Sequence, residues 1–92
     1  LHTLVIYDIS NDQIRSMVAR ACKEAGLARI QKSAFLGVID TQRRKHLKKR
    51  VIRILGRNRG NIQFFLICEN DIRFREIIGD VVIGDDEDIM VL

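Results

Sequence analysis

Thr3-Leu4-Val5-Ile6-Tyr7-Asp8, followed by Ser10-Asn11-Asp12 and by a segment that closes at Gly26, is the stretch whose reading decides the fold. Thr3 to Tyr7 is almost continuously apolar and rich in β-formers, as expected of an inner strand paired on both edges. Asp8 stands where that strand ends. Ser10, Asn11 and Asp12 all carry side chains that accept from the free amides opening a helix. Ile14, Val18, Ala21, Cys22 and Ala25 then recur at the spacing of one helical face. Gly26 supplies the left-handed residue that ends such a helix.

Further along, Leu27 to Ile39 is β-compatible but longer than a typical strand, so a bend or short hairpin is expected near Lys32-Ser33. Asp40-Thr41 caps a second helix whose buried stripe is Leu47, Val51, Ile54 and Leu55. Gly56 begins its exit, Asn58-Arg59-Gly60-Asn61 is a turn, and Ile62 to Cys68, with Phe64-Phe65, is another strand. Asp71 to Ile78 reads as a short helical or irregular link, and Val81-Val82-Ile83 as a short strand closed by Gly84. Ile89 to Leu92 is an apolar terminal strand that needs an edge to pair with, in its own or another subunit. Alternating β and α elements too short for a large parallel sheet define an α/β (α+β) fold. The matching architecture is a ferredoxin-like βαββαβ two-layer sandwich over residues 1–84, with residues 85–92 an acidic linker and extra C-terminal strand.

Composition narrows the function classes. Ninety-two residues make one domain, small enough that a homodimer would help bury its apolar surface. No apolar run approaches a membrane span. Cys22 and Cys68 lack CxxC spacing and nearby histidines, which disfavours zinc and leads us to expect buried reduced thiols. Free thiols and no signal peptide point to a cytoplasmic protein, although the sequence begins at Leu1 rather than a methionine. The net charge of +4 hides an asymmetry: nine Lys or Arg and no acid lie between Thr41 and Cys68, then eight acids and two arginines between Glu69 and Asp88. A polyanion-binding surface beside an acidic tail is one reading, and a solvated basic helix face is the other.

Val5-Ile6-Tyr7-Asp8-Ile9-Ser10, Arg15 in the first helix, Gly26, and Arg29-Ile30-Gln31-Lys32-Ser33-Ala34-Phe35 stand in a telling order and spacing. The chain resembles the CRISPR-associated family two, the Cas-two proteins, over nearly its whole length. In that pattern a Tyr-Asp strand end precedes an arginine-bearing helix, and a glycine precedes a Gln-x-Ser-Val-Phe strand. Ala34 departs from the usual valine, Leu36 stands where a glutamate is common, and Gly60-Asn61 lacks an aspartate often found before the aromatic strand. The missing glutamate removes an acid that would assist a metal. The resemblance implies a homodimer in which the terminal strand crosses to the partner. It also implies a role in spacer acquisition, bridging the CRISPR integrase on a DNA duplex. Some members are metal-dependent nucleases on single-stranded RNA or double-stranded DNA, so a non-catalytic scaffold and a toxin-like RNA cleaver are alternatives.

Asp8 is the candidate catalytic and metal-binding residue, since Mg2+ (or Mn2+) uses one or two carboxylates and keeps several waters. Asp8 from both subunits sharing one ion would supply the second carboxylate. The plainer alternative is an Asx-turn opening the helix. Arg15 and Arg29 are candidate phosphate clamps or ordinary surface arginines. Phe35 stacks on a base, sits at the dimer interface or belongs to the core; Ser33 is similarly open, and Tyr7 supports the strand end. Arg43, Arg44, Lys48, Lys49 and Arg53 are the candidates for tracking a nucleic-acid backbone. His2 and His46 receive no catalytic role.

Overall fold

The computed structural model describes residues 1–82 and 89–91. At its centre β1 (His2–Asp8) pairs antiparallel with β3 (Ala34–Gly37) on one edge and with β4 (Asn61–Ile67) on the other, the position its unbroken apolar run demands. β2 (Ala28–Gln31) adds outside β3, giving the order β2-β3-β1-β4. α1 (Asp12–Glu24) and α2 (Thr41–Leu55) are the crossovers, which completes the ferredoxin-like βαββαβ topology by Ile67.

Local chemistry sets the boundaries. Of the three cap candidates Asn11 is the one used, its side chain accepting from the Ile14 amide at 2.9 Å. Asp40 does the same for α2, accepting from the Arg43 amide at 2.7 Å. The expected bend falls at Lys32-Ser33 as a tight turn between β2 and β3. The register also slips between Arg29 and Gln31, and Ala34, Phe35 and Leu36 are all buried, so simple alternation through this stretch picks no face.

Helices and sheet enclose Val5, Val18, Cys22 and Phe35, each with 0% exposure, and Leu47 and Val51 seal α2 onto them. Each such side chain stabilises the fold by about 1.5–3 kcal/mol. Cys68 departs from the expected burial: it is exposed at the start of α3 (Glu69–Arg73), its thiol 3.0 Å from an Asp71 carboxylate oxygen. Both cysteines are free.

β5 (Asp80–Val82) and β6 (Ile89–Val91) form a separate antiparallel two-stranded sheet, with Val81 opposite Met90. The terminal strand therefore finds one edge within its own chain. Ile83, Gly84, the acidic linker Asp85 to Asp88, Leu92 and the expected boundary at residue 84 lie outside the described residues. Among the described residues no helix is long and apolar enough to cross a membrane.

Candidate active site and nucleic-acid surface

Strand alternation divides the sheet into two faces. Thr3, Val5 and Tyr7 point at the helices and are buried, while Leu4, Ile6 and Asp8 point away from them. The registers carry this across the sheet: Phe35 and Phe64 lie beside Val5 on the helix side, and Leu36 and Phe65 lie beside Leu4 on the other. Asp8 thus sits at the end of a helix-free face on which Ile6 is 38% and Phe65 44% exposed. Its own carboxylate is exposed, and no described residue gives it a hydrogen bond or ion pair.

The backbone around Asp8 is tightly determined. Asp8 is opposite Asn61 in the β1–β4 ladder, and Gly60 immediately before it crosses the Asp8 carbonyl. A Cβ built on Gly60 would lie 2.5 Å from that oxygen, and Gly60 has φ +133°. Only glycine fits there without movement. In sequence Gly60-Asn61 reads as a turn and nothing more; the φ angle and the close approach are tertiary facts.

Arg15 folds back on the loop that follows Asp8. Its guanidinium donates to the carbonyls of Ile9 at 3.0 Å and Ser10 at 3.2 Å and pairs with the Asp12 carboxylate. These bonds hold the β1–α1 loop in shape, so in this conformation Arg15 is a loop clamp with few donors left for a phosphate. Tyr7 is buried beneath, its hydroxyl directed at the Lys32 carbonyl at 3.4 Å and its amide donating to the Ser33 carbonyl at 3.0 Å. Those contacts bring the Lys32-Ser33 turn beside the strand end and make Tyr7 its support. Burial pushes the Tyr7 phenol above its ordinary range, opposed by the Arg29 guanidinium next to it.

For Phe35 the core reading holds, and its candidacy as a nucleic-acid-binding residue is corrected. At 0% exposure it is core, 6.4 Å from the Tyr7 ring, and can neither stack on a base nor line a dimer interface. Arg29 covers it, with the guanidinium carbon 5.1 Å from the ring centre, an arrangement that fixes the arginine's orientation.

The basic residues of α2 do not share one surface. At about 100° per residue, Arg43, Arg44, Lys48, Lys49 and Arg53 spread over most of the helix circumference. Lys48 leans toward β4, its ammonium 5.7 Å from the Phe64 ring centre, while Arg43 lies at the α1 side against Gly26. A straight duplex can meet one flank but not all five. Among the described residues no group of three or more His, Cys, Asp or Glu gathers to hold a metal.

Fold and site together define a ferredoxin-like α/β sandwich with a single exposed acid at the tip of its central strand and a basic helix layer behind it. The chain belongs to the family described as CRISPR associated protein Cas2, whose family model matches residues 1–74. It is 40% identical over 78 residues to the CRISPR-associated endoribonuclease Cas2 of Desulforudis audaxviator, covering 85% of this chain and 74% of that one. It is also 32% identical over 72 residues to a Cas1/Cas2 endonuclease fusion of Thermoproteus tenax, covering 78% of this chain and 27% of the fusion. The crystal structure of Streptococcus pyogenes Cas2 superimposes with a TM-score of 0.74 at 26% identity, covering 86% of this chain and all of that one.

Proposed function

We propose that the chain works as a homodimer in CRISPR adaptation, binding nucleic acid and hydrolysing phosphodiesters with Asp8 of both subunits around one Mg2+ or Mn2+. The observation that carries this reading is the position of Asp8, exposed and unpartnered among the described residues at the end of a helix-free sheet face that also presents Ile6 and Phe65. An apolar face of this kind favours a second copy, and packing two such faces about a two-fold would bring the strand ends together. Two carboxylates with open coordination positions fit Mg2+, which takes oxygen ligands and keeps several waters. When bound, the ion supplies positive charge for the developing phosphoryl oxygens and activates the nucleophile. Asp8 holds the ion, Gly60 and Asn61 fix the Asp8 backbone, and Arg15 and Tyr7 hold the adjoining loop and turn. The name of the Desulforudis relative supports ribonuclease activity, and the Thermoproteus fusion supports Cas1 as partner.

A non-catalytic scaffold bridging the integrase is the second reading, favoured by the basic residues of α2, which can bind a polyanion without any metal. Asp8→Asn separates the two. It keeps size and removes the charge that holds the ion, so cleavage of RNA or duplex DNA should fall by about 100-fold or more, the scale of losing one element of transition-state charge stabilisation. Dimer formation and nucleic-acid affinity should stay unchanged. Cleavage by Asp8→Asn at the wild-type rate, or wild-type cleavage in chelator, would leave only the scaffold.

A further inference from the structure

Arg43, His46, Arg50 and Arg53 follow one another at steps of three, four and three, which places them on a single flank of α2. That flank faces α1. Between the helices lies a cleft of about 300 Å³, walled by Arg43, His46 and Arg50 and floored by Ala21, Ala25 and Leu47. Its one acid, Glu24, is held by Arg50 at 3.2 Å, and this bond fixes Arg50 across the cleft. Arg43 reaches over the end of α1, where Gly26 leaves room: its Nη1 is 3.5 Å from the point a Cβ would occupy. The floor is short and apolar, so little there can read a base edge.

We propose that this α1–α2 cleft is a nucleic-acid surface, distinct from the Asp8 face, that binds the phosphodiester backbone without reading sequence. The inference rests on the reading of the chain as a nucleic-acid-binding subunit and adds where the backbone lies. From Arg43 to Arg53 the line runs about 15 Å, the axial rise of about four nucleotides of one strand. Arg43 and Arg50 in the cleft wall, with Arg50 shared with Glu24, and Arg53 one turn further along the same flank form a line of guanidiniums that matches a repeating anion better than a small phosphate, which could meet one or two of them. The helix layer lies across the sheet from Asp8, so this binding does not need the acid.

The test is the salt dependence of duplex DNA binding, measured on the full chain carrying Asp8→Asn so that cleavage cannot interfere. Arg43→Ala with Arg53→Ala should reduce the slope of log K against log salt by about 1.8, at about 0.9 for each phosphate no longer neutralised. Over a fourfold rise in salt the variant should lose about twelvefold less affinity than its parent. Arg44→Ala with Lys45→Ala removes the same charge from the other flank and should change the slope by less than half as much. Ala25→Glu, on the cleft floor, should weaken binding without removing any arginine. Equal effects of the two charge-matched pairs would mean a diffuse attraction and overturn the proposal. So would an unchanged slope in the Arg43/Arg53 pair, including the case in which those residues instead bind an acidic protein. None of these outcomes depends on whether wild-type Asp8 cleaves, so failure here and failure of the catalytic reading remain distinguishable.

Discussion

Replacing Gly60 by alanine tests whether the Asp8 backbone is as tightly determined as the geometry indicates. Two penalties act. The residue holds φ +133°, which an L side chain adopts only under strain of about 1–3 kcal/mol. Its new Cβ would also lie 2.5 Å from the Asp8 carbonyl and 3.1 Å from Ile9 Cγ1, contacts that require the strand end to shift. Overpacking of that kind costs about 1–3 kcal/mol more. Gly79 provides the control: its φ is +97°, but nothing lies within 4 Å of an added Cβ, so Gly79→Ala carries strain without the collision. Urea denaturation at one fixed protomer concentration should place Gly60→Ala below Gly79→Ala by about 1–3 kcal/mol, or about 4–8 °C in Tm for each kcal/mol. Any Asp8-dependent cleavage should fall in the Gly60 variant alone, since a displacement of the strand end moves the carboxylate. Equal stabilities for the two variants would refute the claim that Gly60 is required by the approach to Asp8.

The free thiols should differ in reactivity. Burial pushes the Cys22 thiol up to about 12, while Cys68 is exposed, so iodoacetamide at pH 8 should label Cys68 alone in the folded protein and both after unfolding. Because the folded state of Cys22 favours the protonated thiol, its contribution to stability is intact below the ordinary thiol value of 9.0 and fades as pH climbs toward 12. At the other end of the scale, the hydrogen bond and charge of Arg50 hold the Glu24 carboxyl below its usual range. That contribution is present above the ordinary carboxylate pKa and is lost as pH falls through the lowered one. Arg50→Gln should therefore flatten this part of the acid limb in a pH titration of stability, and an unchanged limb would count against the pair.

β1 and α1 were legible in the sequence because several signals agree there: an apolar run, an acid at its end, cap residues, a 3.6-residue stripe and a terminating glycine. The same agreement located the Lys32-Ser33 turn, since Leu27 to Ile39 is too long for one strand. Phe35 shows where such reading stops. Its presence in a strand was plain, but Ala34, Phe35 and Leu36 are all buried, so an alternation of covered and open faces could not say which side of β3 meets the helices. Arg15 was legible as a charge near Asp8, yet its bonds to Ile9, Ser10 and Asp12 arise only when the loop folds. The pairing of β6 with β5 was equally closed to sequence, because a short apolar strand accepts any free edge and the choice is made by the rest of the molecule.

The two proposed surfaces have opposite geometric requirements, and this bears on how one subunit could serve both. A dimer packed through the helix-free faces would carry Ile6 and Phe65 into the seam and leave Asp8 at its end, where the strand stops and the carboxylate is already exposed. The α1–α2 clefts would then point outward on opposite sides of the assembly, since each lies across its own sheet from that seam. A polyanion in an outer cleft could not place its phosphates at Asp8 of the same subunit without wrapping around the sheet edge. Retention and hydrolysis then draw on different residues, and a chain could keep Arg43, Arg50 and Arg53 in use as a scaffold whether or not Asp8 ever meets a metal.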